Sequence, residues 1–89
     1  MVIIATSHQV KDYEVWRPFF DADSDRRAAA GIKGEHVFRQ ADEPNNVHIF
    51  FEVDDPSSLS QLNNDPELAA KMEEAGVISE PVFMLLNEA

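Results

Sequence analysis

The apolar residues of this chain recur at two different spacings, one typical of strands and one typical of helices. Val47 to Val53 carries apolar side chains at every second position, which predicts a strand with one buried face. Val2 to His8 is β-branched and apolar, and His36 to Gln40 and Val82 to Leu86 are further short runs of the same kind. Turn-forming residues at positions 42–46 separate two of these runs. The pattern therefore predicts four strands, with the middle two joined as a hairpin.

The first helical pattern follows the first strand. Asp12 is a suitable N-cap, and the apolar residues after it fall at three-to-four spacing, which predicts a helix from Tyr13 to about Ala30. Gly31 is placed to end this helix. Pro18 lies inside it and cannot donate a hydrogen bond to the carbonyl one turn earlier, so we expect a kink there or a short one-turn helix before the main one.

Two further helices begin with the same two-residue signal. Asp55-Pro56 and Asp65-Pro66 each place an aspartate at the N-cap and a proline at the first helical position, where its missing N–H removes no hydrogen bond. The first pair predicts a short helix. The second predicts a helix over Glu67 to Ala75 that buries Leu68 and Met72.

The predicted elements follow the order β-α-β-β-α(α)-β. This is the split βαβ or ferredoxin-like plan, an α+β fold in which helices cover one face of an antiparallel sheet. The other face of such a sheet should be polar. Here the first strand presents Val2 and Ile4 to one face and Ile3 and Ala5 to the other. Because an open apolar sheet face seldom stays exposed in water, we expect a two-fold homodimer formed sheet to sheet into an α/β barrel.

Composition narrows the classes of function. The 89 residues have room for one domain over 1–89, and the lack of cysteine excludes disulfides and thiolate chemistry. The net charge of −10 arises in residues 40–89, where eleven acids face Lys71 alone, so neither nucleic acid nor an anionic membrane is an expected partner. No apolar run reaches the ~20 residues of a membrane span. No leader pattern opens the chain, so we expect a cytoplasmic protein with an acidic surface.

Four segments spread over residues 12–68 share a pattern with known proteins. They are Asp12-Tyr13-Glu14-Val15-Trp16-Arg17-Pro18-Phe19-Phe20-Asp21, Arg27-Ala28-Ala29-Ala30-Gly31, Val47-His48-Ile49-Phe50-Phe51-Glu52-Val53 and Asn64-Asp65-Pro66-Glu67-Leu68. Together they resemble the dimeric α/β-barrel superfamily of small bacterial proteins. That superfamily includes antibiotic biosynthesis monooxygenase-like and polyketide cyclase-like proteins, haem-degrading oxygenases and many members of unknown function.

The resemblance implies a ferredoxin-like subunit, a dimer formed through the sheets, and a ligand cavity between sheet and helices in each subunit. It supplies no catalytic residues. The haem-degrading members use an Asn, Trp and His set, which Trp16 does not match, and no histidine lies between Pro56 and Ala75. The cofactor-free oxygenases of the superfamily rely on a substrate that itself activates oxygen. We therefore expect no cofactor.

The first helix carries one candidate site. The stripe that contains Trp16 and Phe20 continues to Asp23, Arg27 and Ala30, and so turns from apolar to charged half-way. Asp23 and Arg27 are four residues apart and can pair. If the stripe faces the sheet, the pair lies at the cavity rim and binds a polar group of the ligand. If the helix end passes the sheet edge, the pair is a solvated salt bridge.

Two histidines on the predicted hairpin are the candidate catalytic residues. If even-numbered residues pair with even-numbered ones, His36 and His48 share a face with Phe38 and Phe50, and the helical aromatic residues close a pocket around both imidazoles. A histidine there can act as general acid or base near neutral pH. The alternative is two half-buried histidines at the hairpin or dimer interface. Two histidines without a placed carboxylate fall short of a metal site, so we expect none.

These observations leave two functions open. The first is a homodimer that binds a small apolar or aromatic molecule and acts on it as a cofactor-independent monooxygenase or cyclase. Its pocket residues would be Trp16, Phe20, His36, Phe38, His48 and Phe50, with Asp23 and Arg27 at the polar end. The second is a non-enzymatic interaction or regulatory module that presents its acidic half to a basic partner. Both need the same core and the same dimer, so the sequence does not separate them.

Overall fold

A four-stranded sheet carries the helices of this chain on one face. The structure, a computed structural model, describes residues 2–89 apart from the side chain of Asn63. Its elements are β1 (Val2–Gln9), α1 (Tyr13–Ala22), α2 (Ser24–Ala29), β2 (Ile32–Arg39), β3 (Asn46–Val53), α3 (Ser57–Asn63), α4 (Pro66–Glu74) and β4 (Val82–Asn87). The four predicted strands are confirmed. Within this part of the chain, no helix is long and apolar enough to cross a membrane.

The sheet has the strand order β2-β3-β1-β4, and each neighbouring pair is antiparallel. β2 and β3 form the predicted hairpin. β1 lies in the interior of the sheet, with Ile4 opposite Phe51 on β3 and opposite Leu85 on β4. This arrangement confirms the ferredoxin-like α+β fold.

The core lies between the helices and one face of the sheet. β1 and β3 contribute Ile4, Ile49 and Phe51 to it, and α1 and α3 contribute Trp16 and Leu62. The other face, which we call the outer face, remains uncovered in the single chain. Its exposed apolar residues are Phe38, Phe50, Val82, Met84 and Leu86. Both faces are therefore apolar, as the strand patterns predict.

The first helical segment is divided differently from the prediction. Asp12 caps α1 as expected, since its side chain accepts a hydrogen bond from the Glu14 N–H at 3.0 Å. The prediction of a helix up to Ala30 with a kink or a short first turn at Pro18 is wrong. The helix α1 continues through the proline, and the helical segment is instead interrupted at Asp23. There the Asp23 N–H bonds to the Phe20 carbonyl at 3.2 Å, one residue nearer than in an α-helix.

Helix α4 is held at its two ends. Asp65 caps it as predicted, accepting hydrogen bonds from the backbone N–H groups of the first turn. At the other end Gly76 has φ of 91°, a conformation that favours glycine, and its carbonyl accepts a hydrogen bond from the Lys11 N–H at 2.8 Å. Between these ends Leu68 and Met72 are partly buried, and no residue of the helix is fully buried. The helix therefore covers the sheet loosely.

Candidate functional site

A cavity of about 80 Å³ lies between the helices and the inner face of the sheet. It opens to solvent on one side, and most of its wall is apolar. Its lining includes Thr6, His8, Trp16, Phe20, Asp23, Arg27, Ile49, Phe51, Leu62, Leu68, Lys71, Met72 and Phe83. The polar side chains are few and come mainly from β1 and from the junction of α1 and α2. An apolar cavity with a few convergent polar groups is the usual form of a ligand site.

Aromatic rings form one continuous wall of this cavity. Trp16 and Phe20 stack with their centroids 4.9 Å apart, and Phe20 and Phe51 follow at 6.4 Å. His8 meets the edge of Trp16 at 5.5 Å. One turn of helix separates Trp16 from Phe20, so α1 places both rings on its inward side. The wall suits a planar ring, because offset stacking is a favoured geometry for aromatic pairs.

Arg27 closes the end of the cavity nearest α2. Its guanidinium lies 3.8 Å over the Phe20 ring and donates to the Phe20 carbonyl at 2.6 Å. Nε and Nη2 bind the two carboxylate oxygens of Glu35 at 2.6 and 3.1 Å. Because Arg27 is buried and bound on all these sides, its main effect is to fix the Phe20 ring.

The predicted pairing of Asp23 with Arg27 is wrong. Asp23 instead pairs with Arg26 at 3.0 Å, and Arg27 pairs with Glu35 of β2. The break in the helix at Asp23 removes the regular spacing on which the prediction depended. Both residues nevertheless line the cavity, as the inward-facing stripe predicts.

Two polar residues of β1 complete the cavity, and the sequence reading did not assign them to it. Thr6 and His8 are 5% and 8% exposed. Neither Thr6 Oγ1 nor His8 Nδ1 has a hydrogen-bond partner within the described part of the chain. A buried polar atom without a partner costs about 1–3 kcal/mol, so such atoms need an explanation. The alternation of Ile4, Thr6 and His8 on β1 is the signal that could have located them.

Burial makes His8 a neutral side chain. Desolvation lowers the pKa of His8 from 6.5 to about 4, the polar backbone of the same residue partly opposes this shift, and the electrostatic effect of His48 makes a smaller contribution that lowers the pKa. At pH 7 the imidazole is therefore uncharged. A neutral imidazole accepts a hydrogen bond at one ring nitrogen and donates at the other.

The predicted catalytic histidines lie on the other side of the sheet. His36 is opposite Phe50 and Phe38 is opposite His48, so the hairpin has the even-to-even register, one of the alternatives that the sequence leaves open. However, the expectation that they share one pocket with Trp16 is wrong, because these four residues belong to the outer face. Side chains alternate along a strand, and the helices cover the odd-numbered residues of β3.

The outer-face residues form their own small contacts. The Phe38 and Phe50 rings meet edge to face at 5.8 Å. Ser7 Oγ lies 2.8 Å from Nδ1 of His48, and Nε2 of His36 lies 3.7 Å from a carboxylate oxygen of Glu52. The candidate set thus divides in two: Trp16, Phe20, Asp23 and Arg27 line the cavity, whereas His36, Phe38, His48 and Phe50 do not. Across residues 2–89, no three His, Asp or Glu side chains are grouped so as to hold a metal ion.

Comparison with known proteins identifies the fold. The chain matches no protein-family model and no curated protein sequence. Its structure matches an antibiotic biosynthesis monooxygenase with a TM-score of 0.72 and 11% identity, covering 100% of this chain and 99% of that one. A protein from Bordetella bronchiseptica assigned to the same monooxygenases matches with a TM-score of 0.80 and 8% identity, covering 99% and 96%. SnoaB, a cofactor-independent oxygenase from Streptomyces nogalater, matches with 0.71 and 14%, covering 99% and 94%.

At sequence identities of 8% to 14%, the structural similarity to these proteins establishes the fold of the chain. The chain has the ferredoxin-like α+β fold of the antibiotic biosynthesis monooxygenase structures, as the sequence resemblance implies. The match extends over nearly the whole of each chain, so no large element is added or missing.

Proposed function

We propose that this chain, which has the fold of the antibiotic biosynthesis monooxygenases, binds a small aromatic molecule in the cavity beneath its helices and oxidises it as a cofactor-independent monooxygenase. One observation carries the proposal: an aromatic wall stands beside two buried polar atoms, Thr6 Oγ1 and His8 Nδ1, that lack hydrogen-bond partners. The description of SnoaB as a cofactor-independent oxygenase of the same fold supports oxygenation over cyclisation.

The cavity favours a hydroxylated ring over a plain hydrocarbon. A planar ring would lie against Trp16 and Phe20. A ligand hydroxyl that reaches β1 would donate to His8 and accept from Thr6, so that it satisfies both groups. Leaving a buried polar atom unpaired costs about 1–3 kcal/mol, so this match discriminates against ligands that lack the hydroxyl. The substrate class is therefore a phenol or an enol conjugated to an aromatic ring.

The chemistry follows from what such a substrate can do by itself. Loss of its acidic proton gives an electron-rich anion that can react with O₂ without a metal. For a CH₂ group between aromatic rings, one C–H proton leaves, a C–O bond forms to O₂, and the hydroperoxide then loses water to give a carbonyl. The net reaction is R₂CH₂ + O₂ → R₂C=O + H₂O, in which O₂ accepts four electrons from the substrate.

The chain's own residues would hold the substrate and its proton. His8, neutral at pH 7 because its pKa is about 4, accepts the proton only as an anion forms beside it, since the ion pair offsets the cost of burying a charge. Lys71 adds a positive charge at the cavity wall that favours the anion. The aromatic wall shields the substrate from water on its own side of the cavity, which limits loss of the activated substrate.

The same proposal includes a homodimer formed through the outer face. That face exposes Phe38, Val82 and Met84, and two of its polar side chains, Ser7 and His48, already bond to each other. A second copy presents an equally apolar, weakly charged surface, so a two-fold contact is self-complementary. A basic partner would instead suit the acidic residues elsewhere in the second half of the chain.

Binding can be tested through Trp16, the chain's one tryptophan. Its indole N–H gives a single resonance in a ¹⁵N-labelled sample, so titration with phenol reports directly on the cavity. We expect phenol to shift this resonance in the wild type and to bind more weakly in His8→Phe by about tenfold, because the ring is kept and the hydrogen-bond acceptor is lost. Toluene, which lacks the hydroxyl, should bind the two proteins equally.

Oxygen uptake with anthrone, whose CH₂ lies between two aromatic rings, tests the reaction. We expect uptake above the spontaneous rate in the wild type and its loss in His8→Phe. Loss in His48→Phe with full uptake in His8→Phe would contradict the role of His8 and restore the sequence-based assignment. No shift of the Trp16 resonance with any ring compound would contradict the binding function and favour the non-enzymatic interaction module.

A further inference from the structure

A second hollow lies directly behind the cavity. It is a groove of about 380 Å³ between α4 and the segment that leads into β4. Leu62, Met72 and Phe83 line both the inner cavity and this groove. The two spaces are therefore separated by one layer of side chains.

The inner cavity is too small to enclose an aromatic ligand as it stands. Its volume is about 80 Å³. A cavity of about 150 Å³ takes up benzene, and pockets for larger ligands measure about 300–1,000 Å³. A ligand with one ring can protrude through the open side, but a larger one needs a wall of the cavity to move.

Met72 is the shared wall residue that can move at the lowest cost. Leu62 is 7% exposed and belongs to the core, and Phe83 belongs to a strand that pairs with β1 opposite Thr6. Met72 is only partly buried, on a helix without a fully buried residue. Its unbranched thioether chain has several rotatable bonds and adapts to irregular spaces.

We propose that Met72 determines the size of the ligand: when its side chain swings aside, the cavity and the groove become one site for an aromatic molecule of two or more fused rings. This inference rests on the binding function proposed above. The outer part of such a ligand would face the carboxylates of Asp65, Glu73 and Glu80, which line the groove. That part of the ligand is therefore neutral or cationic, since an anionic group would be repelled.

The test compares a one-ring and a two-ring probe on matched variants. Phenol and 2-naphthol are titrated into ¹⁵N-labelled wild type, Met72→Ala, Met72→Phe and Glu74→Ala, and the indole resonance of Trp16 is followed. Glu74→Ala is the control for a change of helix propensity on α4, because Glu74 lies outside both spaces. A third probe, 6-hydroxy-2-naphthoate, has the ring size of 2-naphthol with a negative charge at the far end.

We expect Met72→Ala to lower the Kd of 2-naphthol, and Met72→Phe to raise it, each by about tenfold or more, because one methylene already changes affinity in an apolar pocket by about tenfold and these substitutions change the side chain by more than that. The Kd of phenol should change much less in both variants, because phenol stacks on Trp16 and Phe20 and meets only the cavity side of Met72. Glu74→Ala should match the wild type, and the naphthoate should bind the wild type more weakly than 2-naphthol.

Equal changes for phenol and 2-naphthol in the Met72 variants would overturn the role of Met72, because a general loosening of the helix affects both probes alike. Binding of phenol with unchanged binding of 2-naphthol in both variants would also overturn it, while leaving the proposed binding function intact. Failure of phenol and 2-naphthol to shift the Trp16 resonance in any of the four proteins would contradict the binding function itself.

Discussion

At the scale of single residues, the ionisation of His8 is coupled to folding. Burial lowers its pKa from 6.5 to about 4 in the folded chain, whereas the unfolded chain keeps the ordinary value. Between these two values the unfolded state binds more protons than the folded state, so the free energy of unfolding falls as the pH is lowered. The difference amounts to about 3 kcal/mol over the whole interval.

We therefore predict that the wild type loses about 2–3 kcal/mol of stability between pH 7 and pH 4.5, and that His8→Phe loses much less over the same range. Urea unfolding followed at several pH values measures this. This pH range lies above the range in which Asp65 is protonated. The hydrogen bond to Arg26 lowers the pKa of Asp65, so the stability that its carboxylate contributes is lost only below the ordinary value of 3.8. His36→Phe, at an exposed position, is the control and should keep the wild-type dependence. An NMR titration of His8 with a midpoint near 6.5 would contradict the prediction.

Single residues also show which contacts the sequence does not predict. The stripe that begins on α1 correctly predicts that Arg27 faces inward, although Arg27 lies on α2, beyond the break at Asp23. Its partner Glu35 lies on β2, and nothing local to either residue indicates the pairing. The burial of His8 was missed for a similar reason, since it depends on the helices that cover β1.

At the scale of elements, one arginine links α2 to the N-terminal end of α4 through ion pairs. Arg26 of α2 binds the carboxylates of Asp65 and Glu67, each at 2.8 Å, in addition to Asp23 of its own segment. Since α4 has no fully buried residue, these ion pairs replace part of the packing that usually holds a helix in place.

Arg26→Gln should consequently release α4 more than it affects the sheet. We expect amide hydrogens of α4 to exchange roughly three- to tenfold faster in the variant, with those of β1 and β3 unchanged. Hydrogen exchange measured by NMR reads each amide separately. Arg17→Gln is the matched control, because Arg17 pairs at 2.9 Å with Asp21 of its own helix and, among the described residues, forms no ion pair with a second element. Equal effects of the two substitutions on α4 would refute this account.

Helix ends were predictable where the signal is local. Asp12 and Asp65 cap their helices through N–H groups only two or three residues away, so the sequence identifies them directly. The break at Asp23 was not predictable from Pro18. A proline removes one hydrogen bond, and α1 continues through Pro18 as far as Ala22.

At the scale of the whole molecule, the apolar outer face sets the expected assembly. Phe38 and Met84 are more than half exposed in the single chain, and Phe50 lies beside Phe38. Such a face on a folded subunit costs free energy until another surface covers it. The proposed homodimer covers it with an identical face.

Met84→Lys should convert the proposed dimer to a monomer with little change in subunit stability, because Met84 is 57% exposed and the charge would be buried only at the interface. Burying an unpaired ammonium group costs several kcal/mol per ion, and two-fold symmetry introduces it twice. Light scattering after size-exclusion chromatography measures the mass. Val15→Lys, at a 53% exposed site on α1, should leave the mass unchanged. A wild-type mass equal to one chain would rule out the dimer.

The element order, the central hairpin and the two apolar faces were predictable, because they follow from the periodicity of each segment and from alternation along each strand. The location of the hairpin histidines was not. Alternation along β3 places His48 and Phe50 on one face of the sheet and Ile49 on the other, but it does not show which of the two faces the helices cover. That choice depends on the handedness of the connections and on the larger apolar set Val47, Ile49, Phe51 and Val53.

The position of β1 in the sheet also bears on how the chain reaches this structure. β1 is flanked by β3 and β4, so it pairs with residues about half a chain and almost a whole chain away, whereas β2 and β3 form the local hairpin. Contacts between distant residues form late and slowly, because the intervening chain must lose entropy first. During synthesis β1 therefore leaves the ribosome before both of its partner strands, and the edge of β1 that pairs with β4 has no partner until β4 has also emerged. Of the three strand pairings, the one between β1 and β4 is the last that synthesis permits.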